Sequence, residues 1–289
     1  MRTKSEAAIA EKGVLAGGRR LGATFLNVPY ILWAAIFIIV PMLIVAVYAF
    51  TDTSGQFTLD NLYKLGIYRQ NIIDSFIYAL IATVITLLLA YPFAYFVTKL
   101  GEGTQKIIMM LVMLPMWMNM LIMTYSIMNL IETNGIINTL LSQVGLEKLH
   151  MINTPGAVVL GMVYNYFPYM VLPLVSVLSK IDPSLLEASS DLGSNAVSRF
   201  MRIILPLSMP GIVSGFTMVF VPSVSTFYIA QKLGGKNVNM IGDRIEELVK
   251  KPSTIHLGAM LSLVLMIVIL ICIMLMNHFS DDSERGMMP

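Results

Sequence analysis

The densest chemical patterning lies between Leu185 and Gly211, in LLEASSDLGSNAVSRFMRIILPLSMPG. Glu187, Ala188, Ser189, Asp191 and Gly193, then Ile203, Leu205 and Pro206, stand at fixed offsets in a charged stretch between apolar runs. The chemistry they offer is recognition of a docking protein. Asp182-Pro183 turns the chain, because the residue before a proline avoids the helical region. Ser184 and Glu187 have the spacing of a capping box, in which the serine oxygen accepts from the N–H of Glu187 and the glutamate reaches back to the N–H of Ser184. Gly193 is expected to end the short helix in the left-handed conformation, and Ser194 to cap a second one carrying Arg199 and Arg202. Glu187 then either serves the cap alone or also presents an acidic group to a basic groove on a partner, which Ala188 would let come close.

A second set of polar residues lies within or beside apolar runs: Asn119, Tyr125 and Asn129, with Glu132 at an outer end, then Tyr164 and Asn165, and Tyr228. Aromatic faces attract ammonium groups by roughly 0.5–2 kcal/mol each, so such a lining suits a flexible cation that passes without being trapped. The same residues equally suit interhelical hydrogen bonds and interface belts. The only Asp, Glu, Lys, Arg or His at these runs are Arg202 and His256, each at an edge, which argues against an ion relay. There is no G-x-x-x-x-G-K-[ST] phosphate loop, no HExxH pair and no nucleophile elbow. No catalytic residue and no metal site is therefore assigned, and no cofactor is expected on this chain.

These residues must be positioned by membrane helices. The 289 residues are 56% hydrophobic and only 12% charged, with mean hydropathy +0.76; soluble domains carry about 25% charged residues. No basic stripe points to nucleic acid. Six apolar runs, near 29–50, 75–98, 107–131, 155–178, 203–229 and 255–277, are each long enough to cross ~30 Å of hydrocarbon as a helix. The first run exceeds the roughly 7–15 residues of a signal-peptide core and reads as an anchor. Five basic residues precede it, Arg2, Lys4, Lys12, Arg19 and Arg20, which places both termini in the cytoplasm. The expected organisation is a tail over 1–28, a six-helix domain over 29–278 and a tail over 279–289. The loop 182–202 faces the cytoplasm. Gly211 and Gly215 form a small-xxx-small pair suited to close helix contact. Between the last two runs, Ile241, Ile245, Leu248 and Val249 share one face of an amphipathic helix whose Asp243, Glu246 and Glu247 face water.

The spacing Glu187-Ala188, Gly193, Ile203-x-Leu205-Pro206 resembles the cytoplasmic loop signature of type I ABC importer permeases, with Ser189 in place of a second alanine. AYPFAYF at 90–96, LPMW at 114–117, TNGIIN at 133–138, GMVY at 161–164, FPYMVLPL at 167–174 and KLGG at 232–235 resemble the spermidine/putrescine branch of those permeases, although Met123 stands where that branch usually has arginine. The resemblance implies an all-α membrane protein of six transmembrane helices with a helix–turn–helix coupling loop. It also implies a second homologous permease, two ATPase subunits at loop 182–202 that bind the ATP and Mg, and an external substrate-binding protein in a bacterial cell membrane. Another small solute, or a standalone secondary carrier, are the alternative readings.

Overall fold

The computed structural model describes residues 29–285; the N-terminal tail expected over 1–28 lies outside the described residues. Five apolar runs form single helices: α1 (Pro29–Ala49), α2 (Arg69–Val97), α6 (Pro155–Leu178), α8 (Ala196–Ser225) and α10 (Ile255–Arg285). A short helical turn, Asp60–Tyr63, leads toward α2. Helix α10 runs past the boundary expected at residue 278, through Arg285.

The run at 107–131 is not one helix. It divides into α3 (Glu102–Trp117) and α4 (Met120–Ile131), and the chain bends by 97° between α3 and the segment Met120–Gln143 that α4 begins. Pro115 closes α3, Met118 and Asn119 are extended with ψ 153° and 128°, and the Asn119 side chain accepts from the Leu121 N–H at 2.8 Å. That Asx cap satisfies a donor which a continuous helix would have paired internally, so the sequence locally favours a restart. Helix α5 (Ile136–Gln143) and α7 (Pro183–Asp191) are short connectors.

The core is built around α6, which packs on α2 and α8. Gly211 and Gly215 lie where α8 meets α6, as their spacing predicts. A Cβ at Gly211 would sit 3.0 Å from the Pro173 carbonyl, and one at Gly215 would sit 2.6 Å from the Met170 sulfur. Helix α1 lies outside this core and leans mainly on α10. His256 Nδ1 joins them, 3.1 Å from the Tyr48 carbonyl and 3.2 Å from the Thr51 hydroxyl.

The amphipathic segment forms α9 (Ile241–Val249). Ile241 and Leu248 are buried as expected, and the Ile241 N–H donates to Ser75 Oγ at 2.7 Å. Two expectations for this helix fail. Val249 is 42% exposed, and Asp243 is half-buried, accepting from the Gln231 amide at 2.6 Å. Gln231 also donates to Glu246. Glu246 pairs with Lys250 and Glu247 with Arg244 and Lys251 at the surface.

Candidate coupling loop and translocation path

The loop is built by local chemistry. Pro183 occupies the first turn of α7, which makes Asp182 its N-cap, and the carboxylate accepts from the Ser184 N–H at 2.9 Å. That backbone N–H, stabilising the charge, holds the Asp182 carboxyl below the usual aspartate range. The capping box expected from Ser184 and Glu187 is therefore absent, since an aspartate two residues earlier already serves that donor. Glu187 is exposed, and among the described residues no hydrogen bond or ion pair reaches its carboxylate.

Gly193 does take the left-handed conformation, at φ +79°. Its N–H donates to the Ser190 carbonyl at 2.9 Å and the Ser194 N–H to the Ser189 carbonyl at 3.1 Å, the paired bonds of a Schellman ending. Ser194 is thus the closing residue of α7. The cap of the next helix falls instead to Asn195, whose side chain accepts from the Ser198 N–H at 2.7 Å. No neighbouring atom lies within 4 Å of a Cβ built at Gly193, so Gly193→Val strains only the backbone, by ~1–2 kcal/mol. Uptake is expected to fall severalfold in Gly193→Val at unchanged membrane insertion. Gly193→Asn keeps most of it, because asparagine tolerates this region. Transport assays on both variants, normalised to inserted protein, check the pair.

The second arm of the loop is itself the start of a span. Helix α8 runs from Ala196 through a wide turn at Phe200–Ile204, where the Leu205 N–H reaches back to the Phe200 carbonyl, and continues to Ser225. At 1.5 Å per residue its 30 residues make a rod of about 45 Å. Phe200 packs edge-on to Tyr91 at 5.6 Å, and the Tyr91 hydroxyl pairs with Ser208 Oγ at 2.8 Å. Leu186 packs against the same core. Arg199 donates to Ser190 Oγ, tying the two arms together.

Of the five loop candidates, Glu187, Ala188 and Asp191 face outward, Ser189 is buried and Gly193 makes the turn. The outward face also carries Leu192, 87% exposed, and Val197, 71% exposed. Sequence reasoning missed these two; their signal is apolar residues flanking Gly193 in an otherwise polar stretch.

The structure does not gather the seven path candidates into one lining. Tyr125 and Tyr228 come together, ring centroids 6.4 Å apart. Lys232, unassigned from sequence, holds its ammonium 5.1 Å and 5.7 Å from the two ring centroids. Its signal is the i, i+4 spacing from Tyr228. Asn165 is buried and donates to the Gly161 carbonyl at 2.8 Å. Asn119 serves as the α4 cap, while Asn129 and Glu132 are exposed apart from the pair. Tyr164 turns into a separate apolar groove with Pro115, Leu160 and Phe167. Helix α8 also stops earlier than residue 229: Thr226 is extended at ψ 136°, and a new turn carries Tyr228 onward to a wide turn at Ala230–Gly234. Tyr228 and Lys232 therefore sit beyond a break.

Burial raises the Asp243 carboxyl above the usual aspartate range, with the Gln231 hydrogen bond acting against it. A raised native pKa means the folded state binds a proton that the unfolded state has released. Stability from this group thus rises as pH falls from neutral through the native pKa and levels off below the unfolded value. Asp243→Asn keeps the acceptor and removes the charge. It is expected to raise Tm at pH 7 and to flatten the acid-side rise. Thermal melts at pH 5 and 7 read both effects.

The chain matches the family described as binding-protein-dependent transport system inner membrane component over residues 90–283, and it belongs to that family. It is an integral membrane permease of a binding-protein-dependent transport system. Within the family, it is 38% identical over 224 residues to the spermidine/putrescine transport system permease protein PotB of Haemophilus influenzae, covering 74% of this chain and 78% of that one. It is 36% identical over 224 residues to PotB of Escherichia coli K12, covering 74% and 82%. The fold matches a chain in a crystal structure of a bacterial ABC transporter for import of the acidic polysaccharide alginate. TM-score is 0.74 at 18% identity, covering 94% of this chain and 98% of that one. A second structure of a bacterial alginate ABC transporter, bound to its alginate pentasaccharide-loaded periplasmic protein, matches at TM-score 0.73 and 17% identity, covering 91% and 95%. The all-helical type I permease architecture expected from the sequence is thereby established.

Proposed function

We propose that this chain is one of two permease subunits of an ATP-driven importer that carries spermidine and putrescine across a bacterial inner membrane. The observation that carries the substrate is the 36–38% identity, over three quarters of the chain, to permeases named for those polyamines. The Tyr125–Tyr228 pair supports it: an ammonium, that of Lys232, already lies against both rings, the contact a polyamine would make.

Both termini and loop 182–202 face the cytoplasm in this reading. Two ATPase subunits, holding ATP and Mg, receive the loops of this chain and of a second homologous permease, and a substrate-binding protein delivers polyamine from outside. Closure of the ATPases pushes on Glu187, Ala188 and the exposed Leu192 and Val197. Because α8 is continuous from the loop to Ser225, that push reaches the break beside Tyr228 without a flexible joint, and access alternates from one side to the other. Uptake of radiolabelled spermidine and putrescine, in cells with and without this gene, tests the reading. Loss of ATP-dependent uptake supports it. Unchanged uptake, in a strain lacking other polyamine importers, removes the substrate assignment.

A further inference from the structure

Two buried side chains among the described residues carry a polar atom with no hydrogen-bond partner, Asn165 Oδ1 and Thr226 Oγ1. They are 6% and 5% exposed. The Asn165 amide is fixed in orientation, because only its NH2 can donate to the Gly161 carbonyl, 2.8 Å away. Its oxygen is left facing the interior. Thr226 is unusual among the threonines of the spans. Thr83, Thr86, Thr124 and Thr217 each donate to the carbonyl four residues earlier. Thr226 cannot, because α8 ends at Ser225 and Thr226 is extended. The break in the helix is what frees its hydroxyl.

The two groups share one seam. Helix α6 runs antiparallel to α8 and the turn after it. Gly215 lies against Met170, the Tyr166 hydroxyl donates to the Pro222 carbonyl at 3.4 Å and lies within reach of the Thr226 proton, which leaves the Thr226 lone pairs free to accept, and a Cβ at Gly161 would sit 2.9 Å from Ile229 Cγ2. Asn165, one turn from Gly161 and adjacent to Tyr166, therefore stands at the level of the break. Buried polar atoms are as a rule paired, and two unpaired acceptors at one break in a transport bundle are suited to a donor that comes and goes. A primary ammonium has three donors and no acceptor. A neutral amide and hydroxyl would bind it without the permanence of a carboxylate.

We propose that Asn165 Oδ1 and Thr226 Oγ1 form an ammonium-accepting subsite at the break of α8, which takes a terminal ammonium of the polyamine in transit. This deepens the polyamine reading and rests on it. The test uses the complete importer in liposomes, with its ATPases and binding protein, and measures ATP hydrolysed per spermidine imported. The Asn165→Leu/Thr226→Val double variant is expected to raise that ratio about tenfold, through a fall in maximal uptake, while Thr226→Ser keeps the wild-type ratio. A double variant at the wild-type ratio overturns the subsite, as does Thr226→Ser raised as far as Thr226→Val. Should the double variant not assemble, Asn165→Leu alone is held to the same criterion. A wild-type importer that carries no polyamine overturns the function proposed above and, with it, the ligand. A wild-type importer that carries polyamine beside unaffected variants overturns the subsite alone.

Discussion

Glu187→Lys is expected to leave the chain folded and inserted while abolishing ATP-driven uptake. The loop does not depend on Glu187 for its own structure. Asp182 caps α7, the Schellman bonds at Gly193 and Ser194 close it, and Leu186 and Phe200 anchor it to the core. The Glu187 side chain is exposed, in a shallow pocket it shares with Lys99, Ser190 and Arg199, and Leu192 and Val197 are exposed on the same loop. If Glu187 docks in a basic groove, as proposed, reversing its charge leaves two like charges desolvated together, and removal of one partner from such a pair already costs about 2–5 kcal/mol. At ~3 kcal/mol the expected loss of uptake is roughly 100-fold. Immunoblotting of membranes, ATPase activity of the purified complex and uptake are measured side by side. The expected pattern is normal insertion with ATP hydrolysis no longer matched by transport. Uptake at the wild-type rate would remove Glu187 from the interface. Ser184→Ala is the control and should change little, since the substitution keeps the backbone N–H that makes the main bond to the Asp182 cap and removes only the lesser one from the hydroxyl.

The sequence reading captured what depends on composition and near neighbours. Apolar length predicts the spans, and Gly193 in a polar stretch predicts a left-handed turn, found at φ +79°. Gly211 and Gly215 predict a close helix contact, found against Pro173 and Met170. What it missed depended on competition between nearby choices or on distant partners. Asp182 and Ser184 both qualify as caps, and Pro183 decides between them by fixing the first helical residue. Hydropathy is unbroken across 107–131, so only the Asn119 side chain reveals that a new helix begins there. Asp243 has the character of a surface residue until Gln231, twelve positions away, is brought against it. Lys232 belongs with the loop charges until the break at Thr226 turns it over Tyr125 and Tyr228.

Gly242→Ala is expected to be a strongly damaging single-methyl change. A Cβ there would press on the backbone carbonyls of Ser225 and Thr226, the latter at 2.8 Å. Those oxygens belong to the end of α8 and the break itself, so neither can rotate aside as a side chain does. Helix α9 cannot easily retreat either, because Ile241 beside it is fully buried and donates to Ser75 at 2.7 Å. Overpacking of well-filled sites costs about 1–3 kcal/mol, and contact with two backbone atoms puts this one at the upper end. The comparison with Gly258 makes the point. A Cβ at Gly258 meets Val249 Cγ2 at 2.8 Å, but Val249 is 42% exposed and can turn away, and the fixed contacts there, Leu248 Cβ at 3.1 Å and the Val249 backbone nitrogen at 3.2 Å, are longer than those at Gly242. Gly258→Ala should therefore lower the melting temperature far less than Gly242→Ala. The functional consequence follows from where α9 presses. Displacing it releases the break that places Tyr228 and Lys232, so Gly242→Ala should reduce transport even at temperatures where the complex remains assembled. Melting and uptake measured together on the two alanine variants decide the matter. Equal losses in both would mean that α9 is a passive cover, whereas a selective loss of uptake in Gly242→Ala would make the contact between α9 and the end of α8 part of the transport apparatus.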